Sequence, residues 1–387
     1  MKDIHNICII TYGYPTEKKP YLYTFVDKLV CAMADNNVKC TVINPIGITY
    51  RGRKEIPPLK WDKITKKGNK IEVLCPRYVY CYAKDIVGFN TGVFTFKLFK
   101  KSVEKTMKEY NINPDCLYAH FIYPAGATAA IIGKRMNLPT FFAYGESTPW
   151  GINILGENRL KEYFNSINGV VAVSTAKKNE LLRYNIVPKD KISVFPNAID
   201  REVFYSRSKE EMRKKYGFYQ NDFIVGYTGR FNESKGVMRL LEAIKDIKDI
   251  KLVLIGGGEL NPESDRIVFK GQLPHDEVPM MLSACDIFVL PTKNEGCCNA
   301  IVEAMGCGLP IISSDKDFNY DILSADNSIL VDPDNIDEIQ RAILKLLRNK
   351  NNREDMSNKS ISIAEQLTIE DRASKILNWM NKNCFKR

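Results

Sequence analysis

Histidine is nearly missing from this 387-residue chain. Its three copies, His5, His120 and His275, stand too far apart in sequence to suggest a histidine metal centre. The eleven cysteines are odd in number and scattered, with no C-x2-C pair, and the adjacent Cys297 and Cys298 are poorly placed to pair with each other. That pattern excludes a zinc ribbon and a disulfide framework, and it reads as reduced thiols in a cytoplasmic protein. No apolar run reaches the roughly 18 residues of a membrane-spanning helix. The opening MKDIHNICIITYGYP has a short apolar segment and no cleavage pattern, so it reads as a first strand and not a signal peptide. Neither G-x-x-x-x-G-K-[ST] nor G-x-G-x-x-G occurs at a strand-to-helix turn, which argues against a P-loop and a dinucleotide fingerprint. Internal repeats, low-complexity linkers and nucleic-acid motifs are missing too, so no nucleic-acid partner is expected.

What is present suits a globular α/β protein of two domains. Apolar residues make up 44% of the chain and charged residues 26%, and the length suits two cores of about 190 residues each. Net charge is +10, unevenly spread. Residues 1–195 hold 29 Lys+Arg against 16 Asp+Glu, a net +13; residues 196–387 hold 27 against 30, a net −3. A basic half suits an anionic substrate or an anionic lipid surface, and equally a plain solvated face.

Short apolar runs alternate with helical patterns. In the first half the strands are predicted at Asn6–Tyr12, Val38–Ile43, Asp115–Ala119, Thr140–Tyr144, Val170–Val173 and Ile192–Phe195. Helices are predicted at Leu22–Met33, Thr91–Tyr110 and Ala125–Arg135, and an irregular excursion over 44–70. The second half repeats the alternation from Phe223, with strands at 223–228, 251–255, 267–270, 286–290 and 310–313 and helices at 237–247, 276–283 and 298–306. This order implies mostly parallel sheets covered by helices on both faces. The interruption at Pro196-Asn197 marks a domain boundary, and a last helix is expected near Ile369–Asn383.

Two stretches carry chemistry. Residues 290–315, LPTKNEGCCNAIVEAMGCGLPIISSD, read as strand end, polar loop, helix, stop and strand. Glu295 and Glu303 are eight residues apart, which on one helix is a little over two turns and about 12 Å. Between them Gly296, Cys297, Cys298 and Asn299 would offer free amides at a helix N-terminus, an anion site. A carboxylate on either side of a phosphate-sized gap outlines a nucleotide-sugar. Upstream, FIVGYTGRFNESKG at 223–236 places Arg230 and Lys235 on one strand-to-helix loop, where both can reach one anion.

Together these residues resemble glycosyltransferase family 4, retaining nucleotide-sugar transferases of the GT-B fold. The matching segments are GRFNESKG (229–236), Glu295-x7-Glu303, EAMGCGLPIISS (303–314), SVFPNAID (193–200), VVAVSTAKKNEL (170–181) and YAHFIYPAGATAA (118–130). They span nearly the whole chain in the family's order. The resemblance implies an α/β protein of two Rossmann-like domains facing each other across a cleft. These would be an acceptor-side domain (1–198), a nucleotide-sugar domain (199–368) and a terminal helix (369–387) crossing back to the first. It implies that Gly229, Arg230 and Lys235 hold the donor diphosphate and that Glu295 binds the transferred sugar. Gly296, Cys297, Cys298 and Asn299 would lie beside sugar and phosphate, Glu303 would take the ribose diol and His120 would stand near the reacting carbon. With two cations on the diphosphate, no metal and no cofactor are expected. Asp315-Lys316-Asp317 matches the D-x-D pattern of a metal-binding acid pair but follows a different strand. Gly13, Tyr14 and Glu146 are acceptor-side candidates, Glu146 equally serving as a cap in AYGEST.

Two departures stand out. The first loop reads YGYPTEKKPYLY where many members have Gly-Gly, similar to surface-polysaccharide enzymes, and Cys297-Cys298-Asn299 replace small or apolar residues. The expected reaction moves a sugar from a UDP- or GDP-linked donor to a glycan or lipid-linked oligosaccharide at the inner face of a membrane. Phe94, Phe96, Leu98 and Phe99, with Lys97, Lys100, Lys101, Lys105 and Lys108, outline a helix that could lie on anionic lipid or, equally, one whose phenylalanines are core and whose lysines are solvated. The competing readings are a sugar-nucleotide 2-epimerase of the same fold and a non-catalytic basic binding module.

Overall fold

The computed structural model describes residues 3–20, 22–50, 56–82, 84–86 and 89–384. Tyr21 of the first loop, 51–55 of the expected excursion and the last three residues of the terminal segment lie outside these. The chain divides into two compact units, Met1–Phe195 with Glu370–Arg387, and Pro196–Ile369.

The first unit is built on one sheet. Its described strands are β1 (Asn6–Ile10), β2 (Lys39–Ile43), β3 (Lys60–Ile64), β4 (Lys70–Leu74), β5 (Cys116–His120), β6 (Thr140–Tyr144), β7 (Gly169–Ala172) and β8 (Ile192–Val194). They lie in the order β8-β7-β6-β5-β1-β2-β4-β3. All neighbours run parallel except β3 and β4. The inner strands are continuous apolar runs because helices cover both faces. The helix Thr24–Ala34 buries Val26, Leu29, Val30 and Met33, one stripe at helical spacing.

One expectation fails here. The excursion at 44–70 contains β3 and the start of β4, an antiparallel pair at the sheet edge. The β3 sequence KWDKI alternates exposed with half-buried residues, and Lys70–Asp62 (2.7 Å) and Lys60–Glu72 pair across the strands. A charged edge strand of this kind resists pairing with another chain. The phenylalanines of the helix Gly92–Glu109 divide between core and surface. Phe96 and Phe99 join Val103 and Met107 in the core against the sheet, Leu98 is half-buried, and Phe94 is exposed. The lysine face survives: Lys97, Lys101, Lys105 and Lys108 are exposed in one stripe. Among the described residues no helix is long and apolar enough to cross a membrane.

Helices Trp150–Leu155, Glu157–Phe164 and Thr175–Arg183 add to those expected. Ser174 caps the last, its Oγ accepting from the Lys177 amide at 3.2 Å. The terminal helix Ile369–Cys384 packs within the first unit. Trp379 lies between Phe141 and Phe195, with ring centroids 5.6 and 5.7 Å away. Gly169 makes room for it, since a Cβ there would meet the Trp379 ring at 2.2 Å.

In the second unit β9 (Phe223–Thr228), β10 (Ile250–Ile255), β11 (Ile267–Gly271), β12 (Ile287–Leu290), β13 (Ile311–Ser314) and β14 (Ser328–Val331) form a parallel sheet, ordered β11-β10-β9-β12-β13-β14. Both units are Rossmann-like. In each, the loops at the carboxyl ends of the strands are the places for ligands.

Candidate functional site

In the second unit β9 and β12 are neighbours, so the loops leaving their carboxyl ends lie side by side. Backbone and guanidinium bonds lock them together. The Lys293 amide donates to Ser234 O at 2.8 Å, and Arg239 donates to Glu233 O and to Pro291 O, each at 2.8 Å. Gly236 sits at φ 78, where a Cβ would fall 2.5 Å from Pro291 O; only glycine closes this turn.

Between the loops is a cavity of about 240 Å³ lined by Gly229, Lys235, Glu295, Cys297, Cys298 and Asn299, among others. The Lys235 ammonium forms an ion pair with Glu295, and both side chains are largely buried. Burial opposes the lysine's charge, but the Glu295 carboxylate outweighs it and holds the ammonium above its ordinary value. Stability from such a raised group is lost only as pH climbs through the folded value, so the pair is intact at neutral pH. Thr292 Oγ1 also donates to Glu295, at 3.3 Å. The helix Asn299–Gly306 starts at this cavity, and its first amides have no intrahelical acceptor. Cys298 is a thiol, not a thiolate: burial, then Glu295, push it well above its usual value.

A residue that the sequence reading gave no role fixes this loop. Asn197 Nδ2 donates to Cys297 O (2.9 Å) and to Asn299 Oδ1 (2.7 Å). Its only signal was its place in the motif FPNAID.

Two expected pairings are not formed. Arg230 does not share the cavity with Lys235; it is exposed and its Nε meets Glu259 Oε2 at 3.3 Å. Glu295 and Glu303 are not on one helix, because the helix begins only at Asn299. Glu303 turns instead to His275, whose Nε2 lies 3.1 Å from its Oε1, and His275 packs edge-on to Phe204.

In the first unit His120 ends β5 and is buried among Phe25, Tyr118 and Phe121. Burial, then the nearby charge of Arg372, lower its imidazole to about 3, and Nδ1 has no hydrogen-bond partner. Glu146 serves the turn that follows His120. Its Oε1 accepts from the Ile122 amide (2.7 Å) and Oε2 from the Gly145 amide (3.1 Å). It therefore ties the turn after His120 to the end of β6. Burial raises its carboxyl to about 7. Gly13 leaves room for the Tyr23 ring, 2.4 Å from where its Cβ would stand. Tyr14 donates its hydroxyl hydrogen to Asp27 Oδ1 at 2.6 Å, so it has no hydroxyl hydrogen left for a ligand. Gly13 and Tyr14 line a second cavity, while His120 and Glu146 are not among its lining residues.

Two Rossmann-like domains with polar loops at their strand ends define the GT-B glycosyltransferase class. The crystal structure of Anabaena HepE in complex with UDP matches with a TM-score of 0.72 at 18% identity, covering 98% of this chain and 100% of that one. The family described as Glycosyltransferase Family 4 matches residues 24–203, and Glycosyl transferases group 1 matches residues 208–362. The chain belongs to the family 4 glycosyltransferases. TuaC of Bacillus subtilis, whose name assigns it as a glycosyltransferase to teichuronic acid biosynthesis, is 27% identical over 364 residues and 88% of each chain. The UDP-Gal:alpha-D-GlcNAc-diphosphoundecaprenol alpha-1,3-galactosyltransferase of Escherichia coli is 32% identical over 178 residues, 41% of this chain and 46% of that one.

Proposed function

We propose that this glycosyltransferase takes a sugar from a UDP- or GDP-linked donor and adds it, with retention, to a glycan or lipid-linked oligosaccharide of a surface polysaccharide. The carrying observation is the Lys235–Glu295 pair at a cavity closed by a helix N-terminus. The names of TuaC and of the galactosyltransferase, and the UDP held by HepE, support the substrate classes.

The chemistry follows from the charges. A nucleoside diphosphate entering the cavity offers Lys235 a second anionic partner, which frees Glu295 to accept hydrogen bonds from the sugar hydroxyls. Lys235 and the first helix amides then stabilise the negative charge that grows on the leaving diphosphate, work otherwise done by a divalent cation. Arg230 is an exposed cation near the loop and contributes after leaving Glu259. Glu303 accepts from the ribose diol in place of His275. Retention suits a front-side route in which the donor's bond to the leaving phosphate breaks as the acceptor oxygen bonds to the same sugar carbon, the phosphate taking the acceptor's proton. A lipid-linked acceptor confines the work to a bilayer surface, and the stripe Lys97, Lys101, Lys105 and Lys108 supplies electrostatic attachment without insertion.

Incubation with a panel of labelled UDP- and GDP-sugars and lipid-diphosphate acceptors tests the reading. Transfer with the donor anomer retained is expected. Epimerised donor without transfer, or no turnover with any donor, would overturn it.

A further inference from the structure

We propose that a further cavity of the Pro196–Ile369 unit, at the amino ends of β12 and β13, binds a small phosphate-bearing molecule, with Arg207, Lys209, Lys350 and Arg353 holding the phosphate. The cavity measures about 470 Å³, and its lining includes Asp286, just before β12, and Pro310, just before β13. The Lys235–Glu295 cavity includes Leu290, at the opposite end of β12. Sugar transfer at that cavity asks nothing of this end of the sheet.

Four of its lining side chains are cations and two are carboxylates. Asp286 is already satisfied: Lys209 meets its Oδ1 at 2.8 Å, and the buried Arg213 and the Ile224 amide each meet its Oδ2 at 2.7 Å. Glu354 meets Lys350 at 3.6 Å, one helical turn away, and both side chains are exposed. Arg207 and Arg353 have no carboxylate partner among the described residues, and each is held in place without one. Arg207 donates to Val203 O and Tyr205 O, each at 3.0 Å, and lies 3.8 Å from the Tyr205 ring centroid. Arg353 donates to Leu346 O and to Leu347 O (3.1 Å), and lies 5.2 Å from the Phe223 ring centroid. Two half-buried guanidinium groups are thus fixed at one cavity with no carboxylate to neutralise them.

Like charges held together repel, and a dianion between them removes that cost. A guanidinium fork pairs with two oxygens of a phosphate, and lysine ammoniums add point charge. Each arginine spends only some of its five N–H donors on carbonyls, so donors remain for a ligand. The 15-residue helix Lys350–Ala364 starts at this cavity with no acid in its first turn, so its positive end adds to the attraction. Ser206 and Asn358 bring a hydroxyl and an amide to the lining, partners for a hydroxylated body attached to the phosphate. The volume is that of a small-molecule site rather than of a single ion.

Isothermal titration of the full chain tests this, with inorganic phosphate and glucose 6-phosphate as probes and glucose as the uncharged comparator. Saturable binding of a phosphate probe, and none of glucose, is expected. Tighter binding of glucose 6-phosphate would identify a phosphate monoester as the ligand, and tighter binding of inorganic phosphate the free anion. Arg207→Gln should weaken binding about tenfold, with thermal unfolding showing the variant folded. That variant also loses two carbonyl bonds, so Glu354→Gln is the second. Removing an exposed carboxylate from the lining should tighten binding about threefold, which a merely structural arginine would not explain. Lys235→Ala, which strikes the donor cavity, should leave binding of the probe unchanged. No binding of either probe, equal binding of glucose, or loss in Lys235→Ala with none in Arg207→Gln would overturn the proposal. So would binding that neither Arg207→Gln nor Glu354→Gln alters.

Discussion

Replacing Lys235 by alanine and Glu295 by glutamine should have opposite effects on nucleotide binding, although the two side chains form one ion pair. Lys235→Ala removes a charge-assisted contact to the diphosphate, about 1.5–3 kcal/mol. It also leaves the largely buried Glu295 without its cation and beside an incoming anion. UDP or GDP affinity should therefore fall about tenfold to a hundredfold. Glu295→Gln removes the competitor for the ammonium, so affinity for the bare diphosphate should stay or rise. The same substitution loses the charged acceptor for the sugar hydroxyls, and kcat/KM with the nucleotide-sugar should fall about tenfold to a hundredfold. Isothermal titration with UDP and GDP, alongside steady-state transfer, separates the effects. Wild-type affinity in Lys235→Ala, or equal weakening of UDP binding by both substitutions, would refute the exchange of partners.

How much of this was legible in the sequence depended on how local the cause was. The strands Phe223–Thr228 and Ile287–Leu290 were readable because both are short apolar runs ended by polar turns. The edge strand β3 was not, since KWDKI carries charges whose partners lie on β4 and whose pattern looks like loop. Helical spacing identified the stripe of Phe96 and Phe99 but not whether lipid or the sheet would cover it; the core does. The spacing of Arg230 and Lys235 placed both on one loop. Side-chain direction then sent one to Glu259 and the other to Glu295. The Glu295-to-Glu303 spacing misled on geometry because the turn at 291–298 delays the helix, so the 3.6-residue period does not connect them. Asn197 lies 100 residues from the loop it holds, and no local pattern announces such a bond.

The remaining predictions concern pH, metal and surface charge. Glu146 has a folded-state value near 7 against 4.5 when free, so its stabilising effect is full below pH 4.5 and is lost as pH rises through 7. Relative to Glu146→Gln, the native protein should lose about 3 kcal/mol between pH 4.5 and 8 in denaturant melts; a constant difference would contradict the burial argument. Transfer should survive excess EDTA, and loss restored by Mg²⁺ or Mn²⁺ would overturn the role given to Lys235 and the helix amides. Lys97, Lys101, Lys105 and Lys108 are worth about 1 kcal/mol each near anionic lipid, so liposome co-sedimentation should be strong at low salt and vanish at high salt. Equal pelleting with neutral vesicles would remove the electrostatic attachment. His120 makes the last case. Buried among three rings and near Arg372, it stays neutral down to about pH 3. A neutral imidazole at working pH can orient a substrate through a hydrogen bond but has no second proton to deliver. His120→Asn should therefore lower kcat/KM while leaving the shape of its pH profile between 5 and 8 unchanged, and any limb set by Glu146 should persist in both proteins. A limb near 6.5 in the native enzyme that disappears in the variant would show that His120 titrates during turnover, and the burial argument would fall with it.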